Sequence, residues 1–120
     1  MTDPVELVER YLAGWNETDP ARRRDLLART WTDGATYVDP VMNAEGVGGI
    51  DALIGAAQAR FPGFRFRRLG EVESHNGRLR FRWGLGPEGA DAPIKGTDFA
   101  VLADGRLASV TGFFDQLPPQ

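Results

Sequence analysis

Apolar residues change their spacing about halfway along this chain. Val5, Val8, Tyr11, Leu12 and Trp15 recur at steps of three and four, one face of a helix. Asp3-Pro4-Val5-Glu6 is its start signal: Asp as cap, Pro in the first turn, Glu three residues after the cap. The pattern predicts an end near Asn16. Asp19-Pro20 repeats the signal and predicts a second helix to about Thr30. Leu26, Leu27 and Trp31 should turn inward there, with Arg22-Arg23-Arg24 on a solvated face. Asp33-Gly34 breaks the helix, and 35–38 is expected to be a short strand. Gly46, Gly48 and Gly49 should make a flexible approach to a third helix over 50–60. Its apolar face is Ile50, Leu53, Ile54, Ala57 and Phe61, and Pro62-Gly63 stops it.

From there the period is two. Residues 64–74 and 78–85 are expected strands joined through Asn76-Gly77, and 94–103 and 106–116 a second pair around Asp104-Gly105. Leu79, Phe81, Trp83 and Leu85 share one face, while Arg78, Arg80 and Arg82 take the other. Phe64 and Phe66 alternate likewise with Arg65 and Arg67. The inner face is the aromatic one, and Glu71 and Glu73 partly balance the outer Arg row. Helices first and strands afterwards predict an α+β fold: three N-terminal helices packed on a strongly curved antiparallel sheet, a cone-shaped roll with a concave pocket.

Composition narrows the function. The 120 residues suit one domain, 1–120, and 42% hydrophobic with 26% charged residues is a globular balance. A net charge of −3 argues against a nucleic-acid partner. The absence of cysteine excludes disulfides, thiolate catalysis and Cys-ligated zinc. His75, the single histidine, adjoins the Asn76-Gly77 turn and should be exposed, so no metal site is expected. No apolar run is long enough for a membrane span, and the first residues lack a signal-peptide pattern, which predicts a cytoplasmic protein. All basic residues but Lys95 are arginine, a bias that suggests a bacterial genome rich in G and C. Only the Leu117-Pro118-Pro119-Gln120 tail is expected to be loose.

Two carboxylates stand out. Asp39, in Tyr37-Val38-Asp39-Pro40, ends a β-prone run: it is either a turn residue collecting backbone N–H groups or a base at the rim of a cavity. Asp98 lies in Gly96-Thr97-Asp98-Phe99-Ala100-Val101-Leu102, where both alternating sets are apolar. It faces inward with Ala100 and Leu102 in one register, and outward in the other. An Asp is depleted in strands, and a buried one tends to take up a proton. Met42 and Asn43 fall on the loop after Asp39, suited to a pocket mouth.

With these residues in view, the chain resembles the nuclear transport factor 2-like superfamily, and within it the branch of ketosteroid isomerases and SnoaL-like polyketide cyclases. The resemblance covers nearly everything from Tyr11 to Phe114. It is carried by Ala35-Thr36-Tyr37-Val38-Asp39-Pro40, by Gly49, by Ser74-His75-Asn76-Gly77, and by Asp98-Phe99-Ala100-Val101-Leu102 with Asp104-Gly105-Arg106-Leu107. It implies a cone of curved sheet closed by three helices, a small apolar ligand, no cofactor, and a homodimer.

Ketosteroid isomerases place a base carboxylate before a Pro at this strand end, where Asp39 falls. They build an oxyanion hole from a Tyr on the first helix and a protonated Asp on the fourth strand, where Tyr11 and Asp98 fall. The implied chemistry is an isomerase or cyclase type of proton shuttling, with Asp39 as base and Tyr11 and neutral Asp98 bonding the enolate oxygen. Trp15, Tyr37, Met42, Trp83 and Phe114 would wall the pocket. Two other functions remain: a non-catalytic binder of a hydrophobic metabolite, and an epoxide hydrolase, which needs two Asp with an Arg between them. Alternation points Arg80 and Arg82 away from the cavity.

Overall fold

The computed structural model describes residues 3–118; Met1, Thr2 and the last two residues of the expected tail, Pro119 and Gln120, lie outside the described residues. Helices α1 (Pro4–Asn16) and α2 (Pro20–Thr30) come first, then strands β1 (Trp31–Val38) and β2 (Asn43–Glu45), and helix α3 (Gly46–Arg60). Strands β3 (Phe64–His75), β4 (Arg78–Pro87), β5 (Ile94–Ala103) and β6 (Arg106–Gln116) complete the chain. Both helix starts use the expected chemistry. The Asp3 carboxylate accepts the Val5 N–H and the Asp19 carboxylate the Arg22 N–H, each at 2.9 Å.

The three helices cover one face of a six-stranded sheet in the order β2-β1-β6-β5-β4-β3. The fold is α+β, but the sheet is mixed rather than purely antiparallel, because β1 runs parallel to β6. Hairpin alternation constrains only strands joined by short turns. The connection between β1 and β6 spans most of the molecule, so no turn fixes its sense. Both predicted hairpins form, with Asn76 and Asp104 in the left-handed region that such two-residue turns need. In β3 the register shifts between Leu69 and Glu73, around Gly70, which bends this edge strand.

Several local expectations are corrected. Helix α2 ends at Thr30 and Trp31 faces inward, 1% exposed, as expected. The first strand, however, begins well before residue 35: Trp31 already belongs to β1 and pairs with Leu107. An aromatic followed by Thr favours extended backbone, so helix passes to strand without a loop. Residues 43–45, expected as loop, pair with β1 as β2. The glycines before the third helix belong to it, and Gly46, with φ of 76°, turns β2 directly into α3. On α1, Val5 is exposed and Leu7 is fully buried in its place.

The basic run on α2 is not uniformly solvated. Arg23 is buried, and its guanidinium Nε meets Asp51 of α3 at 2.6 Å. Its Nη1 donates to Gln58 Oε1 and to the Glu17 carbonyl, while Gln58 Nε2 donates to the Trp15 and Glu17 carbonyls. One arginine and one glutamine thus tie all three helices together. Asn16 adds a two-way bond to the backbone of Phe66 in β3, accepting at 2.8 Å and donating at 2.9 Å. Among the described residues no helix is long and apolar enough to cross a membrane.

Removing Arg23 leaves Asp51 and the Gln58 carbonyl without a donor in a partly dry site. Arg23→Ala is expected to lower stability by about 3 kcal/mol in urea unfolding. Loss of less than about 1 kcal/mol, the range of exposed pairs, would show the network to be surface decoration.

Candidate functional site

Sheet register brings the two singled-out carboxylates onto one line. On the inner face Phe81 lies opposite Asp98, and Asp98 opposite Gly112. Val38 pairs with Thr111, so Asp39, one residue on, reaches the level of Gly112. Asp98 and Asp39 therefore flank Gly112 from its two neighbouring strands. A Cβ at residue 112 would stand 2.8 Å from Asp98 Oδ1, 3.3 Å from Asp39 Cβ and 3.4 Å from the Tyr37 hydroxyl. The missing side chain is the space in which these groups meet. Gly96 does a similar service one pair along: any Cβ there would overlap the Trp83 indole, which crosses it toward Asp98.

Asp98 faces inward and is 3% exposed, which resolves its register. Its Oδ2 accepts the Tyr11 hydroxyl at 2.7 Å and its Oδ1 accepts the Trp83 indole N–H at 2.9 Å. Asp39 is half-buried. Its Oδ1 accepts the N–H groups of Val41 and Met42, both at 2.9 Å, and its Oδ2 accepts the Tyr37 hydroxyl at 2.7 Å. The Asp39 N–H closes the turn on the Met42 carbonyl. Asp39 is thus the turn residue that local chemistry suggested and also a cavity residue, with one oxygen committed to each duty.

Burial pushes the Asp98 carboxyl up to about 6, against the opposing hydrogen bonds from Tyr11 and Trp83; the negative charge of Asp39 adds to the rise. Burial and then the Asp98 charge hold the Tyr11 phenol well above its ordinary value. Tyr37 is raised by burial, by the Asp98 charge and by its bond to Asp39. Both phenols keep their protons through any working pH, and so remain donors.

These groups open onto a cavity of about 730 Å³, in the range of small-molecule sites. Tyr11, Asp39 and Asp98 line it, as do Trp15, Tyr37, Met42, Trp83 and Phe114. Leu85, Ile94 and Phe66 add apolar lining, together with Arg60, the last residue of α3, and Phe61 just after it. His75 is exposed at the hairpin, where its ring Nδ1 lies 3.1 Å from the Asn76 side-chain amide nitrogen. Arg80 lies on the outer face, paired with Glu73, and Arg82 is exposed. Between the two carboxylates there is Gly112, not an arginine.

Sequence reasoning placed Trp83 and Tyr37 as walls and missed that each donates to a carboxylate. A weak signal existed for Tyr37, which precedes Asp39 by two in an extended segment and so shares its face. None existed for Gly112, whose importance lies in what two neighbouring strands present to it.

A family model for the SnoaL-like domain matches residues 8–110. Among solved structures, a SnoaL-like family protein from Agrobacterium tumefaciens, provisionally named an isomerase, superposes with a TM-score of 0.90 at 42% identity. That match covers 96% of this chain and 99% of the other. A SnoaL-like protein from Jannaschia, provisionally named a polyketide cyclase, matches at TM-score 0.74 and 22% identity over 93% and 85% of the two chains. A Kribbella flavida protein, provisionally named a ketosteroid isomerase, matches at 0.69 and 17% over 96% and 81%. The last two show likeness of fold alone. Among curated proteins none matches the sequence.

The raised Asp98 pKa fixes a sign for stability. The folded value of about 6 lies above the ordinary 3.8, so the folded state holds the proton more tightly. Its contribution is full below 3.8 and is lost as pH rises through about 6. Asp98→Asn is expected to gain on the wild type between pH 4 and pH 8, by up to about 3 kcal/mol at 1.36 kcal/mol per unit. Urea unfolding at the two pH values measures it, and a difference independent of pH would contradict the burial cost.

Proposed function

Because the chain belongs to the SnoaL-like domain family, we propose that its cavity carries out acid–base proton transfer on a small apolar carbonyl compound, as an isomerase or cyclase. The observation that carries this reading is the inner row, with two carboxylates in different surroundings on either side of a gap at Gly112. Asp39 is the base. Two backbone N–H groups hold its Oδ1 still, leaving Oδ2 toward the cavity to collect a proton next to the carbonyl and return it elsewhere. Asp98 is the acid. Protonated on Oδ1, the oxygen nearest Gly112, it donates to the developing enolate while Tyr11 remains on Oδ2. Apolar walls strengthen that interaction by excluding water.

The competing reading as a passive binder predicts an Asp98 that is solvent-facing or neutralised by an arginine. Its burial and its two uncharged donors favour the enzyme. Epoxide hydrolysis lacks its intervening arginine here.

The outer face supports a second proposal, that the protein associates with a copy of itself. Phe99 and Phe113 stand exposed there, edge to face at 5.8 Å between centroids, with Val101 and Val38 nearby. Arg80, Arg82, Glu73 and Asp115 give the same face both charges, which suits a two-fold contact that must complement itself. Phe113→Glu is expected to turn a dimer into a monomer in sedimentation; a monomeric wild type would refute the association.

Hydrogen–deuterium exchange at the α-carbons of 2-tetralone, followed by NMR, tests the chemistry without knowing the natural substrate. The wild type is expected to accelerate it, and Asp39→Asn to lose about 10²–10⁴-fold. Because the acid form of Asp98 is the productive one, kcat/KM should fall as pH rises through about 6. That fall should be absent in Asp98→Asn. An Asp39→Asn variant as fast as the wild type would sink the assignment.

A further inference from the structure

Two phenols flank the inner row, and their hydrogen bonds are not equivalent. Tyr11 is 3% exposed and donates to Asp98 Oδ2, the oxygen turned away from the Gly112 gap. Its neighbours are Trp15, Trp31 and Phe81 at ring distances of 5.6–6.4 Å, which fix it from three sides. Tyr37 reaches the other carboxylate, and its hydroxyl borders the gap itself, 3.4 Å from where a Cβ at residue 112 would lie. Asp98 Oδ1 borders the same point at 2.8 Å. An atom seated over Gly112 thus has Tyr37 on one side and Asp98 on the other, while Tyr11 stands behind Asp98.

We propose that Tyr37, rather than Tyr11, is the phenol that donates to the reacting oxygen, seated over Gly112, and that Tyr11 is a positioning residue for Asp98. This rests on the proton-transfer reading above and deepens it. Spacing supports the assignment. The Tyr37 hydroxyl and Asp39 Oδ2 are 2.7 Å apart. In a ketone the α-carbon and the carbonyl oxygen are about 2.4 Å apart, from the C–C and C=O bond lengths and a trigonal angle. A carbonyl compound can therefore lie along the pair, its α-hydrogen on Asp39 and its oxygen on Tyr37.

The step balances within this pair. Asp39 Oδ2 takes the α-proton, the C–H electrons form the new C=C bond, and the carbonyl π electrons move onto oxygen. Once protonated, Asp39 is a poor acceptor for the Tyr37 hydroxyl, and the new oxyanion is a strong one, so the hydroxyl turns to it. Tyr37 therefore binds the transition state more tightly than the ground state, where its hydrogen bond is spent on the base. Return of the proton from Asp39 to another carbon restores the starting arrangement.

The test compares 2-naphthol, a planar stand-in for the enol of 2-tetralone, with naphthalene, which lacks the oxygen. At pH 5 the wild type should prefer 2-naphthol by about 10–100-fold in Kd, the worth of two hydrogen bonds, one from Tyr37 and one from protonated Asp98. Tyr37→Phe should cut that preference by about 3–10-fold, leaving the share of Asp98, and Tyr11→Phe should keep it whole. In 2-tetralone exchange Tyr37→Phe should lower kcat by about 10²–10³-fold with little change in KM. Tyr11→Phe should instead move the fall in the pH profile, through Asp98. Should Tyr37→Phe not fold, tyrosine labelled with ¹³C at Cζ gives two NMR signals from the two tyrosines of the wild type. The Tyr37 signal should shift with 2-naphthol but not with naphthalene. A preference undiminished by Tyr37→Phe, or lost with Tyr11→Phe, overturns the proposal, as does a wild type without any preference. A Tyr37-dependent preference in a protein that exchanges no protons would keep the seat and discard the proton-transfer reading.

Discussion

The molecule must keep the carboxyl of Asp98 in a largely apolar interior where, among the described residues, no cation pairs with it. Tyr11 and Trp83 each supply one hydrogen bond, and both come from elements that other contacts hold rigid. Tyr11 sits on α1 within an aromatic cluster, and Trp83 sits on a central strand against Gly96. Uncharged donors satisfy the oxygens without settling the charge, so the group stays sensitive to its surroundings. An arginine in the same place would have fixed it as an anion. Much of the architecture can be understood as the framework that keeps this one site dry.

Most of the framework was legible because it depends on local rules. Asp-Pro helix starts, the change of period after Pro62-Gly63 and the two hairpin dipeptides all act over a few residues. What escaped was set by distant partners. Arg23 is indistinguishable from Arg22 and Arg24 until α3 presents Asp51 and Gln58. The parallel sense of β1 and β6 has no local signature, and neither does β2, whose three residues are a strand only because β1 lies alongside.

The site follows the same division. Asp39 was visible as a turn residue and through family resemblance; one of its oxygens holds the turn, and the other takes the Tyr37 hydroxyl. The register of Asp98 was ambiguous because Phe99 and Val101 are as apolar as Ala100; exposure of the first two on the outer face decided it. Gly112 carries no chemistry of its own and could be recognised only by what surrounds it. Glycine in a strand weakens it, and here the weakness is accepted at the point where the carboxylates converge.

The strand order has a consequence for how the protein is made. β6 is the last of the six strands in sequence order, yet it lies in the middle of the sheet, between β1 and β5. A nascent chain can form its helices and the β3–β4–β5 meander as they emerge from the ribosome. It cannot join that meander to β1 until the final strand arrives. Pairings between residues as far apart as Tyr37 and Val110 are slow to form. Until they do, two edges and an apolar interior stand open to other chains. The row from Asp98 through Gly112 to Asp39 therefore exists only once β6 has been made, and a copy that stops short of it leaves the two carboxylates unconnected.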